Sequence, residues 1–143
     1  MKKIIFILFL IGFISANVKA QNSVMIKVTG IENPSGKLYI ALFDSKSPFL
    51  SNKAIGRIVE IEKSAIEIMF DNLEQGSYAV TMFQDENSNG KLDLGEYDIP
   101  SEKYGFSNNV DPAILSRPPF FDECKFQVEG KTIISIKLIS AIK

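Results

Sequence analysis

Apolar and polar residues alternate with a period of two in one segment after another, a pattern that fits half-buried strands and not helices. In Val24-Met25-Ile26-Lys27-Val28 the valines and Ile26 share a face. Asn33-Pro34-Ser35-Gly36 has the residues that set φ for a reversal and leads into Lys37-Leu38-Tyr39-Ile40-Ala41-Leu42-Phe43, so the two segments read as a hairpin. Two further strands are expected at Arg57 to Ile61 and at Ile66 to Phe70. A turn at Leu73-Glu74-Gln75-Gly76 starts another from Ser77 to Phe83. Between them, Ser45 to Ala54 is a polar loop whose Phe49 and Leu50 need to fold back onto the body. Residues 97–120 hold no lasting period and contain Gly, Pro, Asn and Ser, so they read as a long ordered loop. Two closing strands follow, one with Cys124, Phe126 and Val128 on a face and one with Ile134, Ile136 and Leu138. Seven short strands separated by turn signals predict an all-β fold, a single antiparallel β-sandwich.

The first twenty residues have a different character. Lys2 and Lys3 precede an apolar run from Ile4 to Ile14 that gives way to small residues, the pattern of a secretory signal peptide, with Val18-Lys19-Ala20 placing cleavage after Ala20. The run is shorter than the roughly 20 residues that span a bilayer. Gln21, and not a lipid-carrying cysteine, stands directly after the cleavage point, so no membrane anchor is expected after cleavage. The expected product is an exported domain, periplasmic or extracellular. Removing 20 of 143 residues leaves 123, enough for one domain, 21–143, with a real core. Loss of Lys2, Lys3 and Lys19 leaves 13 basic against 17 acidic side chains, a net charge of −4, which gives no electrostatic case for nucleic acid.

Chemistry is narrowed by what the chain lacks. Histidine is absent, which removes Ser-His-Asp and Cys-His catalysis and the commonest zinc and copper ligand sets. Cys124 is the only cysteine, so no intramolecular disulfide forms. It reads as a small buried hydrophobe in a strand in preference to a reactive thiol, since only Lys125 beside it would activate it.

Asp85-Glu86-Asn87-Ser88-Asn89-Gly90-Lys91-Leu92-Asp93-Leu94-Gly95-Glu96 matches the calcium-loop pattern D-x-[DN]-x-[DN]-G-x₅-E at every required position. Ca²⁺ is a hard cation that takes about six to eight oxygens, and a loop supplies them when acidic or amide side chains sit at alternate positions around a tight turn. Asp85, Asn87 and Asn89 fill positions 1, 3 and 5, and Gly90 stands at the sharp bend. Lys91 offers its carbonyl, Asp93 serves position 9 directly or through water, Glu96 chelates at position 12, and Leu92 anchors the loop to a core. The flanking segments are not helical, so this is an EF-hand-like loop grafted on a sandwich, without a helix-pair switch. The competing reading is an Asx-rich turn that only resembles a site.

The order of motifs from Leu38 onward resembles the secreted bacterial family known only as domain of unknown function 2141. The cues are Gly36 to Phe43, Leu73-Glu74-Gln75-Gly76-Ser77-Tyr78-Ala79-Val80, the acidic loop from Asp85 to Asp93, Ile99 to Asn109 with its Tyr104-Gly105-Phe106-Ser107-Asn108-Asn109 stretch, and Pro118-Pro119. The Leu-x-x-Gly-x-Tyr strand start alone also looks like transthyretin-like and carboxypeptidase-regulatory sandwiches. The resemblance implies an exported sandwich of the immunoglobulin or transthyretin-like kind and supplies no activity and no catalytic residues.

Tyr97, Tyr104, Phe106, Phe120 and Phe121 crowd the long loop, where they would either line a pocket or platform for a glycan or peptide or simply cap one end of the sandwich; the cap is the simpler reading. Asp98 and Glu102 form the only candidate carboxylate pair for glycoside chemistry, and nothing in their spacing sets the separation or raised pKa that chemistry needs. Ser107 lies outside a G-x-S-x-G elbow and reads as a turn or cap residue. The expected function is a non-enzymatic exported sandwich that binds Ca²⁺ structurally through residues 85–96 and presents a surface to a protein or glycan. The alternative is a carboxylate-dependent hydrolase acting on envelope glycans.

Overall fold

The computed structural model describes residues 21–141. The expected signal peptide and its cleavage point at Ala20 lie outside the described residues. Among the described residues eight strands form two facing sheets: β1 (Asn22–Thr29), β2 (Lys37–Asp44), β3 (Ile55–Glu60), β4 (Ile66–Leu73), β5 (Gly76–Asp85), β6 (Tyr104–Phe106), β7 (Phe126–Val128) and β8 (Lys131–Lys137). One sheet has the order β4-β1-β8. The other runs β3-β2-β5-β6, with β7 pairing the start of β5 on the edge that β6 pairs further along. The fold is an all-β sandwich.

The period-two pattern assigns the faces. Val24, Ile26 and Val28 of β1, Leu38, Ile40 and Leu42 of β2, Ile68 and Phe70 of β4, Val80 and Met82 of β5, and Ile136 of β8 are all buried in one core between the sheets. Gly105 of β6 belongs to this inner side. A Cβ there would stand 2.8 Å from Ile136 Cγ2, so only glycine lets β6 lie this close to β8. A second apolar cluster, built on Ala79, Tyr104, Phe106 and Cys124, covers the outer face of the larger sheet.

Four expectations need correction. β1 and β2 do not form a hairpin: β1 pairs with β4 and β8, β2 with β3 and β5, and Asn33 to Gly36 carries the chain from one sheet to the other. Alternation identifies a buried face and says nothing of which strand lies beside it. The sandwich is not wholly antiparallel either, because β1 and β8 run parallel; the rest of the chain provides the long connection that parallel neighbours require. Residues 97–120 are not loop throughout. They contain β6, the 3-10 turn Ser107–Asn109 and α1 (Pro112–Leu115), while Cys124 ends α2 (Phe121–Cys124) and precedes β7. Finally, Phe49 folds back, edge-on to Phe43 and Phe121 at 5.1 and 5.9 Å between centroids, whereas Leu50 stays exposed.

Candidate functional site

The acidic loop begins where β5 ends. Asp85 is fully buried, and its register partner is Lys37 at the start of β2. Gly36, just before Lys37, has φ +72°, and a Cβ on it would come within 2.0 Å of the Asp85 carbonyl oxygen. The crossover between sheets therefore passes against the root of the loop at a glycine. On the other side of the strand end, Gln84 is buried and its Nε2 donates to the carbonyls of Asn33 and Ser35 at 2.9 and 3.0 Å, fixing the same crossover.

Each alternate oxygen-bearing side chain then captures a backbone N–H, the local chemistry that makes Asx residues turn formers. Asp85 Oδ1 accepts from Asn89 N at 3.1 Å and Oδ2 from Gly90 N at 2.8 Å. Asn87 Oδ1 accepts from Asn89 N at 3.0 Å, and Asn89 Oδ1 from Lys91 N at 2.9 Å. Both amide NH₂ groups, of Asn87 and Asn89, turn toward the carboxylate of Asp93 and donate to it. Gly90, at φ +79°, makes the bend expected of position 6.

The sequence reading missed the loop's clasp. Glu102 is buried, and its two oxygens accept from Glu86 N at 3.0 Å and Asp93 N at 3.1 Å, tying the two ends of the loop together. Ser101 adds to it, with N and Oγ both donating to the Asp93 carbonyl. The Glu102 position lies sixteen residues beyond Glu86, and no local pattern marks it.

The structure thus brings together Asp85, Asn87, Asn89 and Asp93, with Lys91 beside them. Glu96 sits apart. A bridge between Leu94 and Pro100 and the bond from Gly95 N to Ile99 O at 2.7 Å close a small excursion whose tip is the 3-10 turn Glu96–Asp98. Glu96 is exposed there, and its side chain makes no hydrogen bond or ion pair among the described residues. Among the described residues no three His, Cys, Asp or Glu side chains converge as a metal group. Leu92 is half-buried and helps to wall a neighbouring cleft of about 460 Å³.

That cleft accounts for part of the aromatic set. Tyr104 and Phe106 form its floor with Phe83, and Tyr97 stands at its mouth. Phe120 is instead exposed and lies over Arg117, whose guanidinium carbon is 4.2 Å from the ring centroid, while Phe121 packs on Phe49. Burial and the charge of Asp111 raise the Tyr104 pKa above its ordinary value. Asp98 and Glu102, the candidate carboxylate pair, stand in unlike settings: Asp98 is exposed, whereas both Glu102 oxygens are engaged.

Ser107 opens the 3-10 turn Ser107–Asn109 and is fully buried. Its hydroxyl donates to Cys124 O at 2.6 Å and accepts from Val80 N at 2.9 Å, fastening the outer segment to β5. Cys124 is itself buried, and burial pushes its thiol up to about 11, the reverse of what a reactive cysteine needs.

No helix among the described residues is long and apolar enough to cross a membrane. The family described as an uncharacterized protein conserved in bacteria, domain of unknown function 2141, matches residues 26–135, from within β1 to within β8. No curated protein and no solved structure matches the chain.

Proposed function

We propose, for a chain that belongs to the bacterial family domain of unknown function 2141, the role of an exported, non-enzymatic β-sandwich whose 85–96 loop holds Ca²⁺ structurally and so orders a ligand-presenting face. The observation that carries this reading is the carboxylate of Asp93, which takes three N–H contacts from the side-chain amides of Asn87 and Asn89. These contacts gather oxygen-bearing side chains around one carboxylate, and the amide oxygens of Asn87 and Asn89, which already accept from Asn89 N and Lys91 N, keep a second lone pair each for a cation. The donor set is all oxygen and suits a hard ion.

Asp85, Asn87, Asn89 and Asp93, with the Lys91 carbonyl, would hold the ion. Glu96 joins if the 94–100 excursion swings toward the loop. Three carboxylates and two neutral amides correspond to dissociation constants on the order of 10⁻⁶ to 10⁻³ M. A non-enzymatic role is supported by Glu102, since a general acid or base must exchange protons and both its oxygens already hold backbone N–H groups. Isothermal titration with CaCl₂ tests the site. One calcium per chain, lost in Asp93→Asn and not reproduced by Mg²⁺, is the expected result; no heat with Ca²⁺ would mean that the loop is only a turn.

A further inference from the structure

The cleft beside the acidic loop has a floor of aromatic rings, a volume of about 460 Å³ within the range of small-molecule sites, and one carboxylate at its mouth. The row of side chains across the outer sheet face supplies the floor: Tyr39 stacks on Phe83 with centroids 4.9 Å apart, and Phe83 lies opposite Tyr104 in the ladder. The charged groups around it are not balanced. Arg117, a lining cation, is held by Glu123 through two bonds of 2.8 and 2.9 Å. Asp98, at the mouth, has no ion pair or hydrogen-bond partner for its side chain among the described residues. The Tyr104 hydroxyl likewise makes no hydrogen bond among them.

The mouth is also strained. Tyr97 (φ 58°, ψ 32°) and Asp98 (φ 56°) are consecutive residues in the left-handed region, which a bulky side chain rarely adopts. Tyr97 is 91% exposed, so its side chain gains no packing from this conformation, which backbone bonds across the turn hold in place. Backbone strain of this kind gathers at ligand clamps. A cleft lined by aromatic rings together with an unpaired carboxylate attracts ammonium groups through the ring quadrupole and the charge together.

We propose that this cleft binds a small organic cation, an apolar or aromatic body that lies on Phe83, Tyr104 and Phe106 with its ammonium head between Tyr97 and Asp98. The proposal rests on the reading of the sandwich as a ligand-presenting module and not on the calcium ion. 2-Phenylethylamine is the probe, with 2-phenylethanol and 3-phenylpropionate as neutral and anionic counterparts, titrated by protein-observed NMR against the purified protein. The amine is expected to bind with a dissociation constant of about 1 mM, the scale for so few atoms. The alcohol should bind at least about fivefold more weakly and the carboxylate more weakly still, with the amine's affinity falling as salt is added.

Asp98→Asn keeps a residue that tolerates the left-handed conformation and should weaken the amine by about fivefold while leaving the alcohol unchanged. Tyr97→Asn should weaken the amine too. No binding by any probe, equal affinity for all three, or an unaltered amine affinity in Asp98→Asn would overturn the proposal. Amine binding that persists in Asp85→Asn or in chelator keeps the cleft and the calcium readings separate: failure of calcium to bind removes the ion alone, and failure of the amine removes the cleft alone.

Discussion

Glu102 joins residues that sequence distance separates. Its carboxylate accepts a backbone N–H at each end of the acidic loop, and the amide in Glu102→Gln would turn a donor toward one of them. An unsatisfied buried N–H costs about 1–3 kcal/mol, and these two are part-buried, so the low end applies and the variant is expected to melt a few degrees lower by circular dichroism; an unchanged melting temperature would mean that the clasp does not hold the loop. The Arg117 pair predicts a pH effect. Its guanidinium, and then the Phe120 N–H, hold the Glu123 carboxyl down to about 2 from an ordinary 4.5. A lowered folded pKa contributes stability above the unfolded value that is lost as pH falls through the folded one. Denaturant midpoints should therefore drop between about pH 4.5 and 2, and Glu123→Gln should flatten that limb. Because the pair is solvent-exposed, the effect is modest and weakens further in salt. The acidic loop itself was legible residue by residue, since Asp85, Asn87, Asn89 and Gly90 act on neighbours within five positions. Glu102 was not, because only the folded chain brings it there.

At the scale of elements, alternation located β1, β2, β4, β5 and β8 and assigned the buried faces of β1, β4 and β8, yet it misjudged the partners of β1 and β2. A turn such as Asn33 to Gly36 can reverse a strand within a sheet or carry it across to the facing one, and local residues are the same in both cases. β6 escaped notice for another reason. It is three residues long and buried on both faces, so it has no polar residue to mark a period. Gly36 makes the crossover testable. In Gly36→Ala a methyl group would meet the Asp85 carbonyl at 2.0 Å in a backbone with φ +72°. The chain must shift at the root of the loop, and a loss of more than about 2 kcal/mol in urea unfolding is expected. Stability within about 0.5 kcal/mol of the parent would show that the crossover does not press on β5 there.

For the whole molecule, the sandwich places its two apolar clusters on either side of the larger sheet: one seals the two sheets together, and the other packs α2 and the loop residues Phe49 and Val110 against the outer face. The acidic loop closes one corner of that outer layer and borders the cleft through Leu92. An ion in the loop would therefore stabilise the body as well as the turn. At about 100 times its dissociation constant, a ligand that binds only the folded state adds about 2.7 kcal/mol. The most direct test is thermal unfolding of residues 21–143 in chelator, in millimolar Ca²⁺ and in millimolar Mg²⁺. A rise of several degrees in Ca²⁺ alone, abolished in Asp85→Asn, is the expected result; identical melting in all three solutions would contradict a calcium site.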